Sequence, residues 1–458
     1  MPITSPPASI FKAYDVRGIY GEEIDGDTAY LIERAFARLL GELRGKPVAD
    51  LGVGLGRDMR LTSPEMAERV RAGIVDEGAH VMDAGEVATE VLYFLVGSRQ
   101  LDGGAMITAS HNPKPYTGVK LVREGALALS GDAGIGELRT MIEAGLPDPP
   151  GGGTMEQIDV LTRFQKKAYS FIDPEKVKPL KLVVDGANGM AGPTIRPLLE
   201  HLGLDAVELY FEPDGNFPDH DPNPLLEKNR KLIIDRVTSE GADLGIAWDG
   251  DADRCFFIDD GGQFVDGDFL TALLAESLLA KSPDGQVLYD VRASRAVRDT
   301  VEAAGGTSAV NRVGHAFFKA RMRETDAIFG GEVSGHYYFR DFFCADSGVI
   351  PALLVLELLS ERGDPMSKLL SRFRDHYFIS GEINSEVADQ AAKMEEIVER
   401  YSDGEISRLD GVSIDYPDWH FNVRPSNTEP LLRLNLESLV SPEHMAEKRD
   451  EVLDLIRS

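Results

Sequence analysis

The chain of 458 residues carries 77 acidic and 48 basic side chains, which gives a formal net charge of −29. With 43% hydrophobic and 27% charged residues, its composition is that of an ordinary folded protein and excludes wholesale disorder or a fibrous repeat. A surface this acidic repels nucleic acid and anionic lipid, so we expect no such partner, and an anionic substrate requires a locally basic site.

The N-terminal sequence MPITSPPASIFKAYD has no basic start followed by an apolar core, so we do not expect a signal peptide. The most apolar helical run, 349–359, is too short to span a bilayer. The two cysteines, Cys255 and Cys344, form no disulfide framework. These features predict a soluble, cytoplasmic protein without membrane attachment.

Three stretches, beginning at Pro47, Lys181 and Gly285, share one pattern of an apolar strand, a turn, a helix and a second strand. Strands that alternate with helices predict parallel or mixed sheets with helices on their faces. Within the first stretch, the glycine spacing of GVGLG at 52–56 does not match a dinucleotide-binding loop, so we predict a turn there.

The tail, from about residue 375, contains the alternating strands HFNVR and LLRLNLES and a final helix. Glycine- and proline-rich composition at 145–153 and two further breaks divide the chain. The predicted domains are residues 1–152, 153–260, 261–372 and 373–458. The predicted fold class is α/β, with three similar mixed-sheet α/β domains and a smaller C-terminal α+β domain.

The first chemical motif is TASHNP at 108–113, a loop after the predicted strand GGAMI. Loops at strand ends are where α/β proteins place chemistry, and Ser110 is a candidate nucleophile. A hydrolase triad is a poor interpretation, because no G-x-S-x-G elbow is present and Ser110 and His111 are adjacent. Taken alone, the motif is explained slightly better by an ordinary Ser/Thr turn before a proline.

The motif DGDADR at 249–254 lies between two predicted strands. In an extended segment, the alternating side chains of Asp249, Asp251 and Asp253 point to one side. Three converging carboxylates require a hard cation, and Mg²⁺ takes such oxygen ligands. An EF-hand is excluded, because Arg254 stands where that loop requires glycine and the flanking helices are missing. An acidic turn is the simpler alternative, but three aspartates at strict alternation favour a metal site.

Two later motifs contain groups that suit a phosphorylated sugar. GEVSGH at 331–336 follows the predicted strand DAIFG, and its carboxylate, hydroxyl and imidazole alternate onto one face, where such groups hydrogen-bond to polyols. A polar strand edge explains that motif equally well. RPSNT at 424–428 combines an arginine with hydroxyl, amide and backbone donors, which suits phosphate. An ordinary surface turn with a proline is the alternative for RPSNT.

Together, TASHNP, DGDADR, GEVSGH and RPSNTEP occur in the order seen in the α-D-phosphohexomutases, and YDVRG at 14–18 also resembles that family. The resemblance covers the whole chain. It implies three similar α/β domains and a hinged fourth domain around a central cleft, in a monomer or weak dimer. It also implies reversible phosphoryl transfer between the 1- and 6-positions of a hexose phosphate, through a phosphoserine and a bound 1,6-bisphosphate.

The resemblance further implies a Mg²⁺ cofactor, a hexose 1,6-bisphosphate as intermediate and activator, and a small phosphosugar as substrate. Ser110 would carry the phosphoryl group and bind Mg²⁺ together with Asp249, Asp251 and Asp253. The implied catalytic residues are Ser110, His111, Lys120, Arg254 and His336. The implied substrate-binding residues are Tyr14, Arg17, Arg292, His315, Glu332, Ser334, Arg424, Ser426, Asn427 and Thr428.

Within these sets, Glu332 and Ser334 would hold sugar hydroxyls, the 424–428 segment would hold the non-reacting phosphate, and the histidines 111 and 336 would handle protons. Arg292 stands where many relatives have lysine, which replaces a point donor by a planar fork. GEVSGH is closer to the GEMSGH of the phosphomannomutase/phosphoglucomutase branch than to GEQSGH of phosphoglucosamine mutases, although Val333 matches neither. The resemblance therefore implies mannose and glucose phosphates. The alternatives are a phosphoglucosamine mutase, a sugar phosphatase and a non-catalytic sugar-phosphate sensor.

Overall fold

The structure, a computed structural model of the chain, describes residues 6–131, 134–426 and 431–458. The chain divides into two compact units. The first comprises Met1–Val265 and Ser334–Met366, and the second comprises Asp266–Val333 and Ser367–Ser458. Within the described residues, no helix combines the length and the apolar character that crossing a membrane requires.

The first α/β segment is built on a mixed sheet in the strand order β1-β5-β4-β2-β3-β7, with β6 paired to β5. Its elements are β1 (Val16–Ile19), α1 (Gly26–Arg44), β2 (Gly52–Arg57), α2 (Ser63–Asp76), β3 (His80–Glu86), α3 (Thr89–Arg99), β4 (Gly103–Ile107), β5 (Tyr116–Arg123), β6 (Leu127–Ala128), α4 (Ile135–Ala144) and β7 (Thr154–Gln157). Strands β4, β2, β3 and β7 are parallel, whereas β5 runs antiparallel to β4 and β1.

The prediction of a turn at 52–56 is wrong, because the GVGLG run is most of strand β2. The glycines serve packing rather than chain reversal. A Cβ at Gly54 would lie 3.3 Å from side chains of Leu92, Val96 and Leu101, so the missing side chain lets helix α3 and its C-terminal end approach the sheet closely. Glycine inside a strand often marks such a close approach.

Local signals fix the ends of α1. The side chain of Asp25 accepts a hydrogen bond from the Thr28 backbone N–H at 2.8 Å, which satisfies one of the unpaired donors at the helix start. Gly45 ends the helix with a left-handed φ of 60°, a conformation that glycine adopts without strain. The buried face of α1, including Phe36 and Leu40, packs into the core of the first sheet.

The second α/β segment has a four-stranded sheet in the order β11-β10-β8-β9. Its elements are α5 (Leu161–Tyr169), β8 (Lys181–Asp185), α6 (Ala191–His201), β9 (Asp205–Leu209), α7 (Glu227–Glu240), β10 (Leu244–Trp248) and β11 (Cys255–Ile258). Strands β9, β8 and β10 are parallel, and β11 returns antiparallel to β10. The DGDADR segment is the connection between β10 and β11.

The third segment contributes to both compact units. Its elements are α8 (Gly267–Lys281), β12 (Gln286–Asp290), α9 (Arg295–Ala303), β13 (Thr307–Asn311), α10 (His315–Thr325), β14 (Phe329–Gly331), β15 (Tyr337–Phe339), β16 (Ala345–Asp346), α11 (Val349–Arg362) and α12 (Met366–Arg374). In the second unit, β12 pairs in parallel with β13 and β14. In the first unit, β15 and β16 form an antiparallel pair, and α11 is buried along most of its length.

The tail is an antiparallel sheet in the order β17-β22-β21-β20-β19, with β18 also paired to β22. Its elements are β17 (Phe378–Ile379), β18 (Ile383–Glu386), α13 (Gln390–Arg400), β19 (Glu405–Ser407), β20 (Val412–Asp415), β21 (Trp419–Pro425), β22 (Leu431–Ser438) and α14 (Pro442–Arg457). Alternate residues such as Phe421, Val423 and Leu434 form its apolar core.

The predicted fold class is confirmed: three strand–helix segments with mixed or parallel strands precede an α+β tail. The domain boundaries at 152, 260 and 372 stay predictions. Strand β7, which begins just beyond the first of them, pairs with β3 of the first sheet.

Candidate active site

In the first unit, Ser110 lies in the loop that follows β4 and is 4% exposed. Its backbone has a left-handed φ of 48°, which is uncommon for a residue other than glycine. The Ser110 N–H donates to the Thr108 Oγ1 at 2.8 Å, and its hydroxyl donates to Asp249 Oδ2 at 2.8 Å. His111 Nδ1 lies 3.2 Å from the same hydroxyl oxygen. The fold thus joins two predicted motifs that are separated by 139 residues.

The three aspartates of DGDADR are buried and converge, but they do so through a turn rather than along an extended strand. Ala252, with a left-handed φ of 60°, donates its N–H to the Asp249 carbonyl and reverses the chain. One carboxylate oxygen from each of Asp249, Asp251 and Asp253 lies within 4.8 Å of the others. The predicted grouping of carboxylates is present, while the predicted pleat geometry is wrong.

Two basic side chains contact these carboxylates. Lys120, on strand β5, donates to Asp251 Oδ2 at 2.7 Å and to Asp253 Oδ2. Arg254 Nε donates to Asp249 Oδ2 at 2.8 Å. Burial alone would lower the pKa of Lys120, but the charges of Asp251 and Asp253 outweigh burial and raise it. The ammonium group therefore stays protonated.

The charge balance of the group fits a divalent cation. Burial, followed by the charge of Asp251, raises the pKa of Asp253 well above its usual range, because the positive charge nearby is insufficient. For Asp251, the Lys120 ammonium outweighs burial and lowers the pKa. Among the described residues, neither Asp251 Oδ1 nor Asp253 Oδ1 has a hydrogen-bond partner. A hard cation bound by one oxygen of each aspartate would supply both the charge and the missing contacts, so these residues could hold Mg²⁺.

Two further predicted residues lie beside this centre. Arg17, on β1, donates to the side chains of Asn112 and Asp15, and the first of these contacts ties it to the TASHNP loop. Tyr14 is half-buried three residues before it. Burial, followed by the charges of Arg254 and Arg17, lowers the pKa of His111 well below its usual value, so its imidazole is neutral.

The GEVSGH segment leaves strand β14 at Gly331. The chain then turns at 333–335, with Gly335 at a left-handed φ of 87°, so the expected alternation onto one face is wrong. In the first unit, His336 Nε2 lies 3.9 Å from Asp253 Oδ1 and 4.0 Å from Asp346 Oδ2. Its Nδ1 is 3.2 Å from the Ser334 hydroxyl.

In the second unit, Glu332 is 1% exposed and accepts a hydrogen bond from the Gly314 N–H at 2.7 Å. Gly314 immediately precedes His315, the first residue of α10. The adjacent Val313 N–H donates to the Asp410 carboxylate of the tail at 2.9 Å. The two carboxylates therefore fix the backbone that leads into His315.

The second unit also contains a group of arginines. Arg292 forms a fork-shaped pair with Asp290 at 2.9 and 2.8 Å and lies 3.6 Å from Glu382. Glu382 also accepts from Arg424 at 3.0 Å and from Arg433 at 3.1 Å. Asp290 therefore holds Arg292 through a planar pair of hydrogen bonds. A lysine at this position could not form such a pair.

Within the described part of the chain, the Nε atoms of Arg424 and Arg433 are buried without a hydrogen-bond partner. Arg433 Nη2 lies 3.5 Å from the Ser426 hydroxyl. Asn427 and Thr428, the other two predicted members of this group, lie outside the described residues. Unsatisfied guanidinium donors clustered around one carboxylate are suited to an anion such as phosphate.

Several residues of these groups were missed from the sequence, namely Arg60, Thr89, Asp346, Glu382 and Arg433. Thr89 Oγ1 donates to Asp251 Oδ2 at 2.5 Å across 162 residues, and no local pattern predicts such a contact. Arg433 had a signal, because antiparallel pairing of the two predicted tail strands sets it opposite Arg424. Arg60 ends the RDMR segment at 57–60, which begins with the last residue of β2, and has no motif of its own.

Comparison with known proteins gives matches over almost the whole chain. Family models described as phosphoglucomutase/phosphomannomutase alpha/beta/alpha domains I, II and III match residues 8–145, 161–262 and 266–377, and the C-terminal domain model matches 382–455. A phosphomannomutase of Vibrio cholerae is 42% identical over 456 residues, which is 98% of each chain. A Xanthomonas campestris protein named phosphohexose mutases is 42% identical over 454 residues, or 98% of this chain and 99% of its own. Among solved structures, a phosphoglucomutase/phosphomannomutase family protein from Burkholderia thailandensis matches with a TM-score of 0.89 and 33% identity, covering 98% of this chain and 97% of that one.

Proposed function

The chain belongs to the phosphoglucomutase/phosphomannomutase family and is a phosphohexose mutase, and from that premise we propose that Ser110 carries the transferred phosphoryl group. Phosphorylated Ser110 gives its phosphoryl to a hexose monophosphate, which forms a hexose 1,6-bisphosphate and frees the serine hydroxyl. The bisphosphate then returns its other phosphoryl to Ser110, and the isomeric monophosphate leaves. Phosphate is neither gained nor lost over the cycle.

The observation that carries this proposal is the 2.8 Å hydrogen bond from the Ser110 hydroxyl to Asp249, inside a group of three buried aspartates. A serine hydroxyl is a weak nucleophile unless a base or a cation is nearby. When bound by Asp249, Asp251 and Asp253, Mg²⁺ would neutralise charge on the phosphoryl group and on the serine oxygen.

The chain's own basic groups complete the charge balance. Lys120 and Arg254 hold all three aspartates in place and stay charged, so they are positioned to neutralise phosphoryl oxygens as well. Arg17, hydrogen-bonded to Asn112 of the TASHNP loop at 108–113, hereafter the serine loop, adds a third cation. These side chains supply the local positive charge that an anionic substrate needs against a net charge of −29.

We assign proton transfer to the two histidines. His111 is neutral and its Nδ1 lies 3.2 Å from the Ser110 oxygen, so it can accept the serine proton. His336, whose Nε2 lies 3.9 Å from Asp253 and 4.0 Å from Asp346, is placed to take a proton from a sugar hydroxyl and to return it.

Substrate recognition is assigned to the second unit. Arg424 and Arg433 have unsatisfied Nε donors around Glu382, and we propose that they bind the phosphate that does not react. Glu332 and His315 are proposed to contact the sugar. Of the hexoses, we propose mannose and glucose phosphates as substrates. We further propose that the reaction takes place in the cytoplasm.

The experiment is ³¹P NMR of the purified protein with Mg²⁺, a trace of glucose 1,6-bisphosphate and, in separate samples, the 1-phosphates of mannose, glucose and glucosamine. We expect 6-phosphate from mannose and glucose substrates, and little from glucosamine. Ser110→Ala is the test variant, and Ser239→Ala, on the exposed side of α7, is the matched control.

Each other result has a distinct meaning. If inorganic phosphate were the main product, the reaction would be phosphate hydrolysis and the protein would act as a phosphatase. A faster reaction with glucosamine 1-phosphate would change the proposed sugar. Full isomerase activity in Ser110→Ala would remove Ser110 from the mechanism while leaving the family assignment in place.

A further inference from the structure

The guanidinium group of Arg60 is hydrogen-bonded to the backbone of the serine loop. Arg60 follows β2, is 2% exposed, and is held by Asp58, whose Oδ2 lies 3.2 Å from Arg60 Nε. Asp58 Oδ1 also accepts from the Arg60 N–H at 3.0 Å and from the Ser63 hydroxyl at 2.6 Å. The ring of Phe217 covers the guanidinium at 5.0 Å. A buried arginine fixed this thoroughly has one orientation.

That orientation directs its donors to four backbone carbonyls, three of the serine loop and its proline and one at the start of β5. Arg60 Nη2 donates to the carbonyls of Ser110 and Asn112 at 2.7 and 2.6 Å. Nη1 donates to those of Pro113 and Tyr116 at 3.1 and 3.2 Å. One planar group therefore determines the path of residues 110–116. A lysine ammonium has three donors and no plane, so it cannot satisfy the same four acceptors.

The Ser110 backbone is the part of this loop that needs such support. Its φ of 48° is a conformation that residues with a side chain rarely adopt, and it persists only where the surroundings hold it. The Ser110 N–H is fixed by Thr108 Oγ1, and its carbonyl is fixed by Arg60. With both ends of the residue held, the direction of the Cα–Cβ bond that carries the hydroxyl toward Asp249 is set.

The same carbonyl also touches the aspartate loop. A Cβ built on Gly250 would lie 2.6 Å from the Ser110 carbonyl oxygen, so the two loops meet there with no room for a side chain. Arg60 on one side and Gly250 on the other hold this oxygen between them. A shift of the Ser110 carbonyl would therefore change the distance from the hydroxyl to Asp249.

We propose that Arg60 is a positioning residue for phosphoryl transfer, which holds Ser110 in its left-handed conformation and so aligns the hydroxyl with the aspartate group. This inference rests on the proposed function of Ser110. Arg60 contacts carbonyls of the loop and acts through Ser110. Its loss therefore lowers the rate of transfer and leaves substrate binding largely intact.

The test variant is Arg60→Lys, which keeps the charge and most of the volume. We expect kcat for glucose 1-phosphate to fall by about 10²-fold, because a displacement of the reacting atom by about 1 Å has an effect of this order. KM should stay within about threefold, since the phosphate-binding arginines are untouched. Phosphate release relative to isomerisation should rise, because a displaced phosphoserine is less well matched to the sugar than to water. Arg57→Lys, three residues earlier and paired with Glu86, is the matched control.

A wild-type kcat in Arg60→Lys, with Ser110→Ala inactive, would overturn this inference and leave the proposed function standing. A fall in activity that only follows the folded fraction, measured by thermal unfolding, would also overturn it. If Arg60→Lys does not fold, Asp58→Asn decides the question. This variant keeps the guanidinium but weakens its anchor, so a kcat reduced by about tenfold supports the inference and an unchanged kcat overturns it. An inactive wild-type protein would instead refute the proposed function.

Discussion

In the described part of the first unit, three buried aspartates are contacted by two permanent cations, Lys120 and Arg254, whereas in the second unit three arginines share Asp290 and Glu382. The first group is short of positive charge and the second is short of negative charge. A divalent cation corrects the first deficit and a phosphate corrects the second. The sign of the uncompensated charge therefore distinguishes the aspartate group, where we place the reaction, from the arginine group, where we place phosphate binding.

The largest effect that this comparison predicts is for Ser110→Ala. Without the hydroxyl that donates to Asp249, no phosphoserine forms, and mutase activity should fall by at least about 10³-fold. Far-UV circular dichroism should match the wild type, because the change removes one oxygen. Activity within tenfold of the wild type would show that the aspartate group does not serve Ser110.

Removal of the metal should have the next largest effect and should act on the first unit alone. EDTA should lower activity by about 10²-fold or more, and added Mg²⁺ should restore it, because the three buried carboxylates would then lose the proposed counterion. Binding of inorganic phosphate to the arginine group, measured by calorimetry, should persist in EDTA. Activity that is indifferent to EDTA would contradict the metal assignment.

Arg424→Met tests the second unit. Loss of one charge-assisted contact to the non-reacting phosphate should raise KM by about 10- to 100-fold and change kcat less. Arg408→Met is the control, since Arg408 is exposed in the same domain and pairs with Glu395. A pure kcat effect with unchanged KM would place Arg424 with the reacting group instead.

The smallest effect concerns stability and pH. Burial raises the pKa of Glu437 to about 7, and its Oε1 accepts from the Arg295 N–H at 3.1 Å. Because the folded pKa lies above the unfolded value, the stabilisation is complete below about pH 4.5 and is lost as pH rises through 7. The loss between pH 5 and 8 is up to about 3 kcal/mol.

Glu437→Gln cannot ionise, so its urea midpoint should equal that of the wild type at pH 5 and exceed it at pH 8. The exposed Glu399→Gln on α13 should follow the wild type at both values. A midpoint of Glu437→Gln below that of the wild type at pH 8 would show that the Glu437 carboxylate stabilises the fold in its charged form.

Short-range patterns predicted much of this molecule. The strand, turn, helix and strand that begin at Lys181 and Gly285 appear as β8–α6–β9 and β12–α9–β13, because each pattern is complete within 30 residues. The GVGLG strand was missed because glycine spacing alone does not reveal a helix packed against it. A turn replaced the expected extended segment at 249–253, and another replaced the expected alternation at 332–336, where left-handed residues 252 and 335 reverse the chain.

For the site, the motifs predicted the reacting side chains but not what holds them. Arg60 contacts carbonyls 50 or more residues away, and Glu382 bridges Arg424 and Arg433, which lie 42 and 51 residues further along the chain. Carbonyl acceptors carry no residue identity, so no sequence pattern can specify the Arg60 contacts. Residues that act directly on chemistry leave motifs, whereas residues that act through the backbone become visible only in three dimensions.

The most direct test of the account is to follow a ³²P label from glucose 1,6-bisphosphate into the protein. We predict that peptide mapping places the label on Ser110, and that unlabelled glucose 1-phosphate removes it into hexose phosphate at least as fast as steady-state turnover. Label on another residue, or isomerisation at full rate with no label on the protein, would contradict the central claim that Ser110 carries the phosphoryl group.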